Sequence, residues 1–319
     1  MACGAEQPAG TVLPKWLDFC ASLCKNSAVP TIDFHTHIFP PEIIARREFY
    51  LDRDDWFGQL YADPRAAMAS ADELVAAMDA SGVDQSVTLG FAWADQGLCR
   101  ACNDYVLESM SQWPERLVGF AQVNPIAVGA QLELERRMHQ GLGGLGELMP
   151  DGQGYTFDNP RLDDVVEHMV HWRRPVLIHA GEPVGHRYPG KSICTLQPFY
   201  ELALRHPKAL FVAAHWGGGL FFYELMPEVQ QALGNVYYDT AASPYLYGDD
   251  IFTIAARIVP RKVLFATDYP LIAPDRFLRH VRRSGLSRAA LADVLGNNAA
   301  RLLRGGKPDD GTDPGLHRD

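Results

Sequence analysis

Short runs of β-branched and apolar residues alternate along the chain with longer segments whose apolar positions recur every three to four residues. That alternation is expected of repeated strand–helix units around a parallel sheet. From residue 31 onward eight runs have strand character: 31–37 (TIDFHTH), 83–90 (VDQSVTLG), 117–124 (LVGFAQVN), 143–148 (GGLGEL), 175–180 (PVLIHA), 209–215 (ALFVAAH), 235–241 (NVYYDTA) and 262–268 (KVLFATD). Helical periodicity lies between them, clearest in ADELVAAMDASG, where Ser70 and Glu73 are spaced for a capping box and Gly82 for a stop. Eight such units in 319 residues favour an α/β fold of the closed (β/α)8 TIM-barrel type over an open doubly wound sheet. No G-x-G-x-x-G or Walker loop follows the first strand to argue for the open sheet.

Two connections exceed the usual few residues and predict lids or binding loops. One is 38–69, carrying Arg46, Arg47, Trp56 and Phe57; the other is 181–194, carrying His186, Arg187 and Lys191. The barrel is expected over 30–303, after an N-terminal helical extension (1–29) and before a tail (304–319) whose composition predicts disorder. Lys and Arg total 29 against 39 Asp and Glu, and a net charge of −10 repels a phosphate backbone, so nucleic acid is not an expected partner. The first residues lack a basic and then apolar leader, and no run reaches the roughly 20 apolar residues of a membrane span. A cytoplasmic protein with no membrane association is expected, and base rates for such proteins favour a homo-oligomer, most simply a homodimer. Six cysteines are too few for a disulfide framework in a chain this long. Cys99 and Cys102 form a C-x-x-C inside a helical pattern and read as helix packing, and Cys20 and Cys24, with no histidine pair beside them, are assigned no chemistry.

Candidate chemistry collects at the ends of the strands. His35 and His37 flank Thr36, and the two-residue period of a strand puts both imidazoles on one side, about 6.6 Å apart at their α-carbons, within reach of one metal ion. His179 ends PVLIHA, His215 ends ALFVAAH and Asp268 ends KVLFATD. In such barrels the carboxyl ends of the strands surround one cavity, and imidazole nitrogen with carboxylate oxygen suits zinc, with Mn, Fe or Co as alternatives. Any one of these histidines alone reads best as a satisfied core residue; four histidines and an aspartate at strand ends do not. Glu147 ends GGLGEL as a buried acid, a substrate contact or a ligand of a second ion, and Asp239 ends VYYD as a hydrogen-bonding support.

Asp33, His35, His37 and Pro40 (D-x-H-x-H-x-x-P), His179, the H-W-G-G from His215 to Gly218, the T-D-Y-P around Asp268 and the L-G-N-N-A-A-R-L-L from Leu295 to Leu303 resemble the amidohydrolase superfamily. They resemble in particular its amidohydrolase-2 branch of metal-dependent hydrolases and aminocarboxymuconate semialdehyde decarboxylase-like enzymes. The resemblance implies that His35, His37, His179 and Asp268 hold one ion, that His215 orients substrate or water or serves a second ion with Glu147, and that Asp268 is the general base. It implies hydrolysis of a small amide, ester or lactone, with non-oxidative decarboxylation of a small carboxylic acid as the alternative. Arg46, Arg47, Arg187 and Lys191 are candidates for a substrate carboxylate, and decarboxylation in particular leads one to expect a buried arginine facing the metal. A barrel that binds a ligand without catalysis is the third reading.

Overall fold

Each apolar run becomes a parallel strand in the computed structural model, which describes residues 29–192 and 196–308. The strands are β1 (Ile32–His37), β2 (Gln85–Leu89), β3 (Leu117–Ala121), β4 (Gly144–Leu148), β5 (Pro175–Ile178), β6 (Leu210–Ala213), β7 (Val236–Asp239) and β8 (Val263–Leu264). They pair in chain order from β1 to β8, as successive strand–helix–strand crossovers of one hand require. Backbone hydrogen bonds join the two edges: Phe34 N donates to Phe265 O at 2.8 Å, Asp268 N to His35 O at 2.9 Å and His37 N to Tyr269 O at 2.7 Å. A nearly closed eight-stranded barrel results. The expected N-terminal extension with Cys20 and Cys24, the end of the second long connection and the tail from residue 309 lie outside the described residues.

Alternation along the strands sorts side chains into two apolar layers. Ile32, Phe34, Val87, Val118, Phe120, Leu177, Val212 and Tyr237 fill the barrel, while Leu117, Leu145, Val176, Phe211 and Val236 pack outward against helical residues such as Leu74, Met78, Val106 and Leu162. Removing each of these from water contributes about 1.5–3 kcal/mol. The helix Ala71–Ser81 has the capping box at Ser70 and Glu73 and the left-handed Gly82 that its sequence predicts. Cys99 and Cys102 are buried free thiols on the helix Gln96–Gln112, consistent with packing.

Two breaks in register matter for function. Between β1 and β2 the pairing steps from Asp33↔Ser86 to Thr36↔Thr88, three residues against two. Such a bulge lets neighbouring side chains share a face: Phe34 packs edge-on against Phe120 inside the barrel, and the next residue, His35, also points inward, to within 3.6 Å of Glu147. Between β4 and β5 the pairing steps from Leu145↔Val176 to Leu148↔Ile178. Gly146 sits in this slip with φ +125°, and a Cβ there would lie 2.2 Å from Leu177 O, so only glycine fits.

The connection from 38 to 69 folds instead of looping freely. It forms the short helices Pro41–Ala45, Arg47–Leu51 and Asp55–Tyr61. Phe39, Ile43, Tyr50 and Phe57 from this segment pack with Phe91, Trp93, Cys99 and Cys102 in a separate apolar cluster above the barrel.

Candidate active site

His179 follows the last residue of β5, His215 lies two residues past β6, and Asp268 four past β8. All three therefore sit where regular pairing has ended and the backbone is free to turn. His215 (φ 53°) and Asp268 (φ 60°) are left-handed, as are neighbouring Trp216 and Ala242. Such conformations cost about 1–2 kcal/mol each for residues with a Cβ and concentrate at functional sites. After His215 the left-handed run continues through three glycines, and at Gly218 a Cβ would come within 2.3 Å of Gly181 O.

These turns bring all the strand-end residues together. Nε2 of His35 and Nε2 of His37 are 3.0 Å apart. Nδ1 of His35 donates to Asp239 Oδ2 at 2.9 Å and Nδ1 of His37 to Gly90 O at 3.1 Å. A carbonyl only accepts, and a carboxylate prefers to, so both protons sit on Nδ1 and the two Nε2 lone pairs face one another. At that separation two lone pairs repel, so either one Nε2 carries a further proton or a cation lies between them. Asp268 Oδ1 is 3.5 Å from His37 Nε2 and 3.8 Å from His35 Nε2. Glu147 spans the cluster: Oε2 is 3.6 Å and 3.8 Å from the Nε2 atoms of His35 and His37, while Oε1 accepts from His179 Nδ1 at 2.9 Å and lies 3.6 Å from His215 Nε2. His179 Nε2 is buried with no hydrogen-bond partner. Imidazole lone pairs, an orphaned ring nitrogen and two inward carboxylates make a donor set that fits a divalent ion.

The electrostatics agree. Burial alone would depress the His35 imidazole, but the Glu147 and Asp239 carboxylates outweigh it and hold the ring well above the ordinary histidine range. His215 is likewise raised to about 9 against its burial, by the Glu147 carboxylate 3.6 Å away and the charge of Asp268. Burial would lift the acids, yet His35 and His179 draw Glu147 well below the usual carboxylate range, and His37 and His35 hold Asp268 at about 2. The field that draws protons onto these rings is the field a metal cation would neutralise.

Asp239 does what its position suggests. While Oδ2 holds His35, Oδ1 accepts from the backbone N–H of His215 at 2.8 Å and of Ala241 at 3.1 Å. One fully buried carboxylate therefore fixes a residue on β1 and one after β6.

Above the cluster opens a cavity of about 430 Å³, lined by His37, Glu147, His179, His215 and Asp268 at one end. Its walls are mostly apolar or aromatic, including Leu60, Tyr61, Phe91, Met149, Leu246 and Leu271. Both long connections contribute, the first through Leu60 and Tyr61 and the second through His186 and Tyr188. Among the described residues no lysine or arginine lines it. Arg46 pairs with Glu42 at 3.0 Å on the surface, Arg47 donates to the carbonyls of Pro64 and Ala66, Arg187 is exposed, and Lys191 donates to the carbonyls of Val184 and His186. The structure thus gathers the metal-ligand candidates and leaves the cationic substrate candidates outside. Tyr61 and the Gly90 carbonyl carry no sequence signal, since the one looks like any aromatic on a helix and the other is backbone.

A sequence model of the amidohydrolase family matches residues 32–305. No curated protein matches the chain by sequence. Among solved structures, 5-carboxyvanillate decarboxylase from Sphingomonas paucimobilis shares 20% identity at a TM-score of 0.71, over 87% of this chain and 99% of the other. 5-Carboxyvanillate decarboxylase from Novosphingobium aromaticivorans, complexed with manganese and 4-hydroxy-3-methoxy-5-nitrobenzoic acid, shares 15% at 0.70, over 87% and 96%. Dihydroxybenzoic acid decarboxylase from a Polaromonas species, with manganese and 2-nitroresorcinol, shares 18% at 0.64, over 87% and 97%. That these relatives in shape are decarboxylases overturns the expectation of amide, ester or lactone hydrolysis. Two of them hold manganese; in this chain the ligand atoms of His35, His37 and Glu147, and of Glu147, His179 and His215, lie within 4.8 Å of one another, close enough to hold a metal ion. No described helix is long and apolar enough to cross a membrane.

Proposed function

The chain belongs to the amidohydrolase family, and from that premise we propose that it is a metal-dependent, non-oxidative decarboxylase of a small aromatic carboxylic acid. The observation that carries the reading is the convergence of His35, His37, His179 and Asp268 at the floor of an apolar cavity of about 430 Å³, a size suited to one small ring compound. The names of the similar barrels supply the reaction class.

His35, His37, His179 and Asp268 would hold the ion, manganese or zinc, with Glu147 beside it. When bound, it supplies a Lewis acid that polarises a substrate oxygen and draws electron density from the bond to be broken. The protein's own groups do the rest. Asp239 and the Gly90 carbonyl hold His35 and His37 in the tautomer that leaves Nε2 free. Leu60, Phe91 and Leu246 exclude water from the ring. The carbon–carbon bond to the carboxylate breaks, carbon dioxide leaves, and the electron pair stays on the ring carbon. His215 supplies the proton that this carbon takes up: its Nδ1–H is committed to Ala241 O at 3.2 Å, so the proton it can release is the one on Nε2. Asp268, ionised beside it, stabilises the imidazolium until delivery.

Elemental analysis of the purified protein, followed by assay of carbon dioxide release from a panel of aromatic carboxylic acids in D2O, tests the reading. One acid should release carbon dioxide and acquire deuterium at the vacated carbon. Protein loaded with manganese or zinc that releases none from any member refutes it.

A further inference from the structure

Tyr61 is the last residue of the helix Asp55–Tyr61, and three contacts fix its ring. It stacks on Phe57 with centroids 4.7 Å apart at 27°, and meets Phe39 and Phe91 edge-on at 5.3 Å and 5.9 Å. The helix is itself tethered. The buried Asp54 side chain accepts from Phe57 N at its start and from Ala94 N in the segment after β2, each at 2.9 Å. Such a ring is held before any ligand arrives, and preorganisation of this kind strengthens a contact by cutting the ordering entropy that binding would otherwise require.

The ring lines the cavity together with His37, Glu147 and Asp268. Burial, reinforced by the charges of Asp268 and Glu147, pushes its phenol up, so it is a neutral donor at any physiological pH. Two other tyrosines line the cavity, and they are placed differently. Tyr188 gives its hydroxyl to Glu182 at 2.9 Å, and Tyr245 stands half-exposed at the rim. With no lysine or arginine among the described lining residues, the cavity has few donors for an anion apart from its histidines.

Resting on the decarboxylase reading for the identity of the acid, we infer that the Tyr61 hydroxyl is a substrate-contacting donor, hydrogen-bonding an anionic oxygen of an aromatic acid seated against His37, Glu147 and Asp268. An aromatic ring that carries the carboxylate would lie along Phe91 and Leu60, and the phenol would meet the oxygen turned away from the histidine floor.

Tyr61→Phe removes the hydroxyl and keeps the stacked ring, so it separates recognition from packing. Benzoate is titrated by calorimetry into manganese-loaded wild type and variant, with benzamide as the neutral control and metal content and melting temperature measured alongside. Benzoate should bind the variant about tenfold or more weakly, the loss expected of a hydrogen bond to a charged group, while benzamide affinity, metal content and melting temperature stay as in wild type. Equal benzoate affinity in both proteins overturns the inference, as does a wild type that binds no benzoate. A Tyr61→Phe protein that melts as low as Tyr61→Ala also overturns it, by assigning the hydroxyl to the fold. Carbon dioxide is not measured, so a failure of the decarboxylase reading leaves this result interpretable by itself.

Discussion

Replacing Asp239 by asparagine separates the shape of this buried group from its charge. The carboxylate accepts three hydrogen bonds, one from His35 Nδ1 at Oδ2 and two from the backbone N–H groups of His215 and Ala241 at Oδ1. An amide of the same shape can turn its oxygen to only one side. With the oxygen toward the backbone, its NH2 faces the His35 Nδ1–H and the ring must change tautomer or rotate, so that Nε2 no longer offers a lone pair opposite His37. With the oxygen toward His35, the NH2 meets two backbone donors. Either way at least one hydrogen bond to a charged acceptor is lost, worth about 1.5–3 kcal/mol, and removal of such a supporting group weakens metal binding by roughly 10–100-fold. Competition against a chromogenic chelator gives the manganese affinity, and thermal unfolding of the metal-free protein gives the stability. The expected result is weaker binding by one to two decades, in a protein that still folds. Wild-type affinity within about twofold in a folded Asp239→Asn protein would falsify the claim that Asp239 holds His35 as a ligand, since loss of a supporting bond typically costs about tenfold or more.

Other perturbations give equally definite expectations. His179→Ala and Asp268→Asn should each lose most of the bound metal and all measurable carbon dioxide release; full metal and full turnover in both would remove the ligand assignment. Asp33 is buried, and its burial outweighs three hydrogen bonds to raise its carboxyl to about 7. The unfolded chain therefore ionises this acid first, so the stability that Asp33 contributes is lost as pH rises from about 4 to 7. Denaturant titrations across that range should show Asp33→Asn gaining on wild type over the same interval, and a gap independent of pH would contradict this. Gly218→Ala puts a Cβ 2.3 Å from Gly181 O, whereas Gly154→Ala, at φ +76°, meets nothing within 4 Å. The second should cost only the left-handed penalty of about 1–2 kcal/mol and the first clearly more, so equal melting temperatures for the two would discount the close approach.

Sequence alone displays the barrel because its signal is periodic: eight apolar runs, each bounded by helix, can hardly be assembled otherwise in a chain of this length. It displays the cluster of His35, His37, His179, His215 and Asp268 because strand ends converge whatever the local detail. Other features have no such signal. The bulge at Phe34 and His35 arises from the way β1 meets β2 and lets an apolar residue and a histidine share the interior. A strict two-residue period would have sent one of them out. Glu147 reads as an ambiguous buried acid, and only the slip at Gly146 carries its side chain to both histidine pairs. The connection from 38 to 69 reads as a long lid or binding loop, yet Phe39, Tyr50 and Phe57 find partners in Phe91 and Trp93, which are distant in sequence. Arg46 and Arg47 are drawn to nearby acceptors in that same segment, which charge pattern alone does not show.

The absence of a lysine or arginine from the described lining of the cavity bears on the reaction in a direction opposite to first intuition. A cation placed on the substrate carboxylate stabilises a charge that exists before the bond breaks and vanishes as carbon dioxide forms. It therefore favours the ground state over the transition state, and binding of that kind lowers KM without raising kcat. The charge that appears during the reaction belongs on the ring and on whatever oxygen withdraws it, at the end of the cavity where His35, His37, His179 and Asp268 meet. Apolar walls from Phe91, Leu60 and Leu246 leave the departing group, neutral as it leaves, in surroundings that suit it. A single neutral donor such as Tyr61 can orient the acid without holding its charge in place. On this argument, adding a positive charge to the wall, as in Leu60→Arg, should tighten benzoate binding and slow carbon dioxide release. Faster turnover in that variant would show that the carboxylate needs a counter-ion after all.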